Sequence, residues 1–181
     1  MDAKDLDAKD LRHTARHEAA HAVACILTRQ PFAKVSIVPD RESFGRVQYD
    51  RAPRIKVVAR LTVRKRRAIA AMLFVSVAGR AFHSEKTVGD SSDIRQAREL
   101  CRIFSGAIKP RTFFDRAYRM AREWFKLPEN RAAVEALADE LMLRRELSAE
   151  EARAIVLRTG CGQERSDLCW VLLLAMWCFG R

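Results

Sequence analysis

Hydrophobic positions near the start of the chain follow the period of an α-helix. Apolar residues recur three and four positions apart between residues 10 and 28, which predicts a first long helix over that range. The helix is expected to end at Gln30-Pro31, because proline cannot continue it. Its apolar face would pack on the core and hold the side chains of the helix in fixed rotamers.

The pattern then changes to the two-residue period of β-strands. Residues 34–39 alternate, with Val35 and Ile37 on one side, and residues 45–49 form a second alternating segment. Together they predict a hairpin or a small sheet. Because Pro39 lacks an amide hydrogen, the end of the first strand is predicted to be an edge or a terminus. Such an edge would accept an extended peptide by strand addition, and the alternative is a sheet that only packs on the helix.

The rest of the chain has helical periodicity interrupted by short breaks. Thr62 is a suitable N-cap, Ser148 with Glu151 has the sequence of a capping box, and Gly79 is expected to permit close packing. The predicted helices comprise residues 63–84, 92–104, 112–125, 129–145, 149–157 and 167–179. The predicted fold class is therefore mainly α (α+β), a helical domain with a small β-sheet or hairpin beside the first helix.

Domain organisation follows from a flexible break at residues 159–162, which separates a domain of residues 1–158 from a C-terminal tail of residues 159–181. The apolar helix of this tail is shorter than the roughly 20 residues that span a bilayer. We therefore predict no transmembrane span. The helix is interpreted as a core or docking helix, with contact to a membrane surface as the less favoured alternative.

Composition indicates a globular protein of a reducing compartment. The 181 residues are 49% hydrophobic, enough for a proper core. The five cysteines are odd in number and form no CxxC pair, which argues against a disulfide framework and a cysteine zinc site. No apolar segment of a secretory signal is present near residue 1, so a cytoplasmic location is expected.

The net charge of +11 raises the question of an anionic partner. Residues 51–67 are the most basic stretch and contain no acid, but they lack the interleaved aromatic residues that stack on nucleic-acid bases. We interpret the stretch as a solvated connection. Nucleic acid is therefore an unfavoured partner. Contact of this stretch with acidic lipid is an equally unfavoured alternative.

Candidate chemistry lies in the middle of the first helix, where residues 17–21 read His-Glu-Ala-Ala-His and match the HExxH signature of zinc hydrolases. Residues four apart are neighbours on one helix face, so both imidazoles can reach one tetrahedral ion while Glu18 flanks its open position. The structural alternative is two solvated or core histidines of an ordinary helix. His13 is expected at the surface, because three histidines separated by steps of about 6 Å along the helix cannot all reach one ion.

A third protein ligand is required in addition to the two histidines. The pattern HExxHxxGxxH is excluded, because Ala24 and Leu27 stand where it needs glycine and histidine. The spacing of the residues leaves downstream acids open as the third ligand, chiefly Glu85, Asp90 and Asp93.

Several segments resemble, in the same order, the peptidase domain of the FtsH-type, membrane-anchored AAA+ zinc proteases. Residues 17–21 are similar to the family's HEAGH, residues 34–39 to its KVTIIP strand, and residues 77–82 to its GGRAAE segment. Residues 89–94, Gly-Asp-Ser-Ser-Asp-Ile, are similar to G-A-S-N-D-L, whose last Asp is the third zinc ligand. Residues 129–156 are similar to its closing helices, so the resemblance covers about residues 14–157.

The resemblance implies a function. His17, His21 and Asp93 would bind one zinc ion per chain, and Glu18 would activate the attacking water molecule. An extended peptide would pair with the first strand at four residues: Val35, Ser36, Ile37 and Val38. The expected activity is that of a zinc-dependent metalloendopeptidase that hydrolyses peptide bonds of unfolded or extended polypeptides.

Two features of the family are missing from this sequence. It contains no GxxxxGK[ST] phosphate-binding loop and no transmembrane anchor, so the ATP-driven unfolding module is not expected. The expected partner is an unfolded polypeptide, and the sequence leaves open a separate AAA+ ATPase and a homo-oligomer. The competing hypothesis is a catalytically silent binding or regulatory module, in which residues 51–67 contact nucleic acid, acidic lipid or a partner protein.

Overall fold

A computed structural model describes residues 8–39, 45–49, 62–83, 90–104 and 110–161 of the chain. The helices in this part are α1 (Ala8–Thr28), α2 (Val63–His83), α3 (Asp90–Phe104), α4 (Pro110–Phe125), α5 (Pro128–Arg144) and α6 (Ala149–Arg158). The strands are β1 (Lys34–Ser36), β2 (Arg46–Gln48) and β3 (Glu146–Ser148). The predicted mainly helical fold with a small sheet is confirmed.

Helices α1 and α2 form the centre of the molecule. α1 packs against α2 on one side, against α5 on another, and against the sheet on a third. α2 is buried without a break from Ile69 to Gly79, because α3 and α4 cover the sides that α1 leaves free. A helix that is apolar on all sides is stable only when it is surrounded in this way. These two helices therefore form the buried centre of the described fold.

The sheet has the order β2-β1-β3, and both pairs are antiparallel. Val35 lies opposite Val47 on one side and opposite Leu147 on the other, and all three side chains are buried. β1 is thus the central strand of the three. Of the two alternatives predicted for the end of this strand, the terminus is confirmed, because β1 ends at Ser36, and the edge is wrong, because a strand that was not predicted, β3, occupies its second side.

Strand β3 exists because α5 ends in a left-handed residue. Arg145 has a φ of 69°, and its N–H donates to the carbonyl of Leu141 at 2.8 Å. This conformation ends the helix and turns the chain, so that the next three residues pair with β1. Glycine is the usual residue at such a position, so an arginine there gives no sign in the sequence that the chain turns into a strand.

A buried polar contact joins the ends of three helices. Asn130, at the start of α5, donates from Nδ2 to the carbonyl of Trp124 near the end of α4 at 2.9 Å. Its Oδ1 accepts from the thiol of Cys161, which follows α6, at 3.2 Å. Both amide atoms are therefore satisfied within the core, as buried polar groups require.

Some sequence predictions concern residues outside the described part of the chain. These are the apolar helix at 167–179 with most of the tail, residues 51–61 of the basic stretch, and Glu85.

At the described end of the basic stretch, the N–H of Lys65 donates to Thr62 Oγ1 at 3.3 Å, so the predicted cap of α2 is confirmed. None of the described helices combines the length and apolar character needed to cross a membrane.

Ser148 links β3 to α6 and provides a test of the fold. Its Oγ accepts from the N–H of Glu151 at 3.2 Å, and its own N–H donates to the Glu151 carboxylate at 2.8 Å, which confirms the predicted capping box. Loss of an N-cap side chain costs about 1 kcal/mol. We expect Ser148→Ala to lower the free energy of unfolding in urea by about that amount. Arg153→Ala, on the exposed side of the same helix, is the control, and an equal loss in both variants would contradict the capping role.

Candidate metal centre

Three side chains from two helices converge on one point. His17 Nε2 and His21 Nε2, both from α1, lie 3.2 and 3.1 Å from Asp93 Oδ2 of α3. The two Nε2 atoms are 3.1 Å apart. In the ranges that the structure describes, this is the one group of three or more histidine, cysteine or acidic residues close enough to share an ion.

The size of this triangle fits zinc. With ligand bonds of 2.0 to 2.1 Å, tetrahedral coordination separates neighbouring ligand atoms by about 3.3 to 3.4 Å, close to the spacing found here. Two nitrogens and one oxygen also form a donor set that zinc accepts, whereas calcium and magnesium prefer six or more oxygens. A zinc ion held by these three residues keeps a fourth position for a further ligand.

Helix α2 faces the histidines of α1 in an antiparallel register. The carbonyl of Val75 accepts from His21 Nδ1 at 2.8 Å, Gly79 lies against the ring of His17, and His83 stacks on His13 with ring centroids 3.8 Å apart. The three α2 residues are four positions apart, as are the three histidines, but the order is reversed. Each histidine of α1 therefore meets one residue of α2.

The contact with Val75 determines which nitrogen of His21 faces the centre. A carbonyl oxygen only accepts hydrogen bonds, so Nδ1 of His21 carries the proton. In the neutral ring, Nε2 is then left with a lone pair directed at the triangle. Metal-binding histidines usually have such a partner on the second ring nitrogen, which fixes the tautomer and the orientation of the ring.

Gly79 determines how closely α2 approaches His17. A Cβ atom at position 79 would lie 2.7 Å from His17 Nε2 and closer still to Cε1 and Nδ1. No side chain larger than hydrogen fits there unless the imidazole moves. The close packing predicted at Gly79 is confirmed. It allows α2 to contact the ring of His17 directly.

The chain has four histidines, and all four lie along this contact. His13 is half-buried under His83, so the prediction of a surface position for it is wrong. His83 was not identified from the sequence, because only the register of α1 on α2 brings it here. Burial, together with His13, lowers the pKa of His83 to about 3, so its ring is neutral at physiological pH.

Glu18 lies beside the triangle and faces β2. Its residue is 8% exposed, the backbone N–H of Val47 donates to its carboxylate, and a Cβ at Gly45 would lie 2.9 Å from its Cγ. Burial raises the pKa of Glu18, although the neighbouring His21 and His17 lower it. A buried carboxyl with a raised pKa can take up a proton and return it, which is the property required of a catalytic base.

His21 and Asp93 stabilise each other's charged forms. Burial opposes ionisation of both, but the carboxylate of Asp93 raises the pKa of His21 and the charge of His21 lowers the pKa of Asp93. Two imidazoles and a carboxylate packed this closely attract positive charge, since buried anions need a partner. The electrostatics of the site thus favour a cation.

The predicted peptide-binding residues do not lie at an outer edge of the sheet. Val35 and Ser36 are buried in the central strand, and Ile37, also buried, donates its N–H to the carbonyl of Arg145 at 2.8 Å. Val38 is 53% exposed but follows the strand. Strand addition at Val35 to Val38 is therefore ruled out for the described sheet. The outer edge near Glu18 belongs to β2, whose N–H at Val47 points to the carboxylate.

Comparison with protein-family models and with curated proteins finds no match to this chain. The relation to the FtsH-type proteases stays a prediction that rests on the segments named above.

Gly79→Ala tests the role of the close helix contact. Alanine in a helix interior is normally about 1 kcal/mol more favourable than glycine, but here it must displace His17. We expect zinc affinity, measured by competition with a chelator, to fall about 10-fold to 100-fold, as for other changes that disturb ligand orientation. Gly160→Ala is the control for a strained glycine substitution away from the centre, because Gly160 has a φ of 75° but no atom lies within 4 Å of its Cβ position. Unchanged zinc affinity in Gly79→Ala would contradict the assignment.

Asp93→Ala tests the identity of the third ligand. Removing the carboxylate leaves two protein ligands, so most of the zinc affinity should be lost. Asp90→Ala, at the first residue of the same helix, should bind zinc almost as the wild type does. Equal losses in the two variants, measured by zinc content after dialysis, would overturn the assignment.

Proposed function

We propose that the chain is a zinc-dependent metalloendopeptidase that hydrolyses peptide bonds of unfolded or extended polypeptides, and that it is related to the FtsH-type peptidase domains. The observation that carries the proposal is the triangle of His17, His21 and Asp93 with the Glu18 carboxylate buried beside it. Three ligands, an open fourth position and an adjacent base are the parts that hydrolytic zinc sites share.

A zinc ion at the triangle would polarise the substrate carbonyl and bring the pKa of a bound water close to neutrality. Glu18 would accept the proton of the water whose oxygen attacks the carbonyl carbon. It would then return that proton to the amide nitrogen as the C–N bond breaks. The Val47 N–H, with Gly45 beside the side chain, holds the carboxylate in place for both transfers.

The outer edge of β2 is the proposed binding site for the peptide. Residues 45, 47 and 49 alternate along the strand, so their backbone groups point to the same side as the N–H of Val47. An extended peptide paired with the other backbone groups of this edge, since Glu18 occupies the Val47 N–H, would lie beside Glu18, and main-chain hydrogen bonds would give affinity with little dependence on sequence. A folded protein cannot offer such a segment, which supports unfolded polypeptides as substrates.

The partners and location of the protein belong to the same proposal. A separate AAA+ ATPase could deliver unfolded chains, and a homo-oligomer would place several sites together, as the family resemblance implies. The described cysteines, Cys25, Cys101 and Cys161, are free and buried, which supports the reducing conditions of the cytoplasm.

Glu18→Gln separates zinc binding from catalysis. The amide keeps the shape of the side chain but cannot act as a base, so zinc content should equal that of the wild type. Cleavage of casein or of an unstructured peptide should fall by about 10²-fold to 10⁴-fold, the typical contribution of general acid-base catalysis. Glu99→Gln, at an exposed position of α3, should cleave as the wild type does.

Two results would contradict the proposal. One is full activity of Glu18→Gln. The other is a zinc-loaded wild type without chelator-sensitive cleavage of any unstructured substrate, with a AAA+ unfoldase present.

A further inference from the structure

Tyr49 directly follows β2 and brings a phenol onto helix α1. Its residue is 37% exposed, but the hydroxyl points inward, and its Oη lies 3.9 Å from the sulfur of Cys25. Cys25 itself is fully buried. The phenol thus has one end in contact with solvent and its polar end against the helix that carries the candidate zinc ligands.

The position of Cys25 relates this hydroxyl to the metal centre. His17, His21 and Cys25 are spaced four residues apart and share one face of α1. Side chains on a helix lean towards its N-terminus, so the thiol of Cys25 points back to the turn of His21. Tyr49 reaches this face from β2, the same strand whose Val47 N–H contacts Glu18. Its hydroxyl therefore contacts α1 one turn beyond His21, on the helix that also carries Glu18.

The charges around Tyr49 agree with this placement. Burial raises the pKa of Tyr49, and Cys25, Asp93 and Glu18 raise it further. The phenol is protonated at physiological pH and is therefore a permanent hydrogen-bond donor.

The phenolic proton is available to a substrate. In the described part of the chain, the thiol of Cys25 donates to Tyr49 Oη at 3.9 Å, and burial raises the pKa of this thiol to about 12. The phenolic proton is not used in that contact. A neutral thiol is a weak donor and a weak acceptor. A carbonyl oxygen that gains negative charge is a strong acceptor for the phenolic proton.

We propose that the Tyr49 hydroxyl donates a hydrogen bond to the oxygen of the scissile carbonyl as that oxygen becomes an oxyanion. This role rests on the proposed peptidase function. When the water oxygen bonds to the carbonyl carbon, the π-electron pair moves to the carbonyl oxygen and the water proton moves to Glu18. When the C–N bond breaks, the pair re-forms the carbonyl and Glu18 gives its proton to the nitrogen. Tyr49 keeps its own proton throughout.

Tyr49→Phe in the zinc-loaded full chain tests the proposal, because it removes only the hydroxyl. Loss of one oxyanion donor costs about 10²-fold to 10³-fold in kcat. We expect a loss of that size for an unstructured peptide substrate, with KM little changed and zinc content normal. Affinity for a phosphinic peptide, a tetrahedral anionic mimic, should fall in parallel when measured by titration calorimetry. Tyr118→Phe is the matched control, since the only other tyrosine of the chain stacks on Phe114 in α4.

The outcomes distinguish this role from the proposed function. Wild-type kcat and wild-type phosphinic-peptide affinity in Tyr49→Phe would overturn the assignment of Tyr49 and leave the peptidase function intact. A rise in KM alone, or a loss of zinc, would also overturn it, because either indicates a role in substrate binding or structure. A wild type that neither cleaves peptide nor binds the phosphinic peptide would overturn the peptidase function and this role together.

Discussion

The close approach of α2 to α1 is the constraint on which the candidate centre depends. Glycine in a helix interior costs about 1 kcal/mol relative to alanine, yet any Cβ at position 79 would overlap the ring of His17. At this distance the Val75 carbonyl reaches His21, and His83 stacks on His13. The burial of α2 from Ile69 to Gly79 among three helices maintains the approach. Core packing thus sets the rotamers of both histidine ligands.

The same packing buries ionisable groups, which costs hydration free energy. His17, Glu18 and His21 are all less than 9% exposed, and each buried charge loses several kcal/mol of hydration. Mutual attraction between Asp93 and His21 offsets part of this loss. A structural role alone would be served as well by apolar residues of similar volume, which often replace buried ion pairs without loss of stability. The cost of keeping four ionisable groups together therefore favours a functional explanation of the cluster.

Sequence periodicity predicts every described helix, because each has an apolar face that must be buried. The HExxH spacing likewise predicts that His17 and His21 share a helix face, whereas Asp93 could be chosen only from the resemblance, since spacing left Glu85 and Asp90 open. The errors share one physical origin. Each concerns a feature that depends on contacts between segments distant in the sequence. The turn at Arg145 gives no local signal for β3, so the central position of β1 could not be foreseen. His83 and Gly45 reach the site only through tertiary packing.

The correction from β1 to β2 changes how substrate binding relates to catalysis. Neighbouring strands lie about 4.8 Å apart. A peptide paired with the side of β1 that faces away from β2 would therefore be separated from Glu18 by both strands. A peptide on the outer edge of β2 would lie against the strand that already contacts Glu18 through Val47 and Gly45. Tyr49 extends this strand towards α1. In the proposed function, one short strand aligns the peptide, holds the base and carries the proposed hydrogen-bond donor.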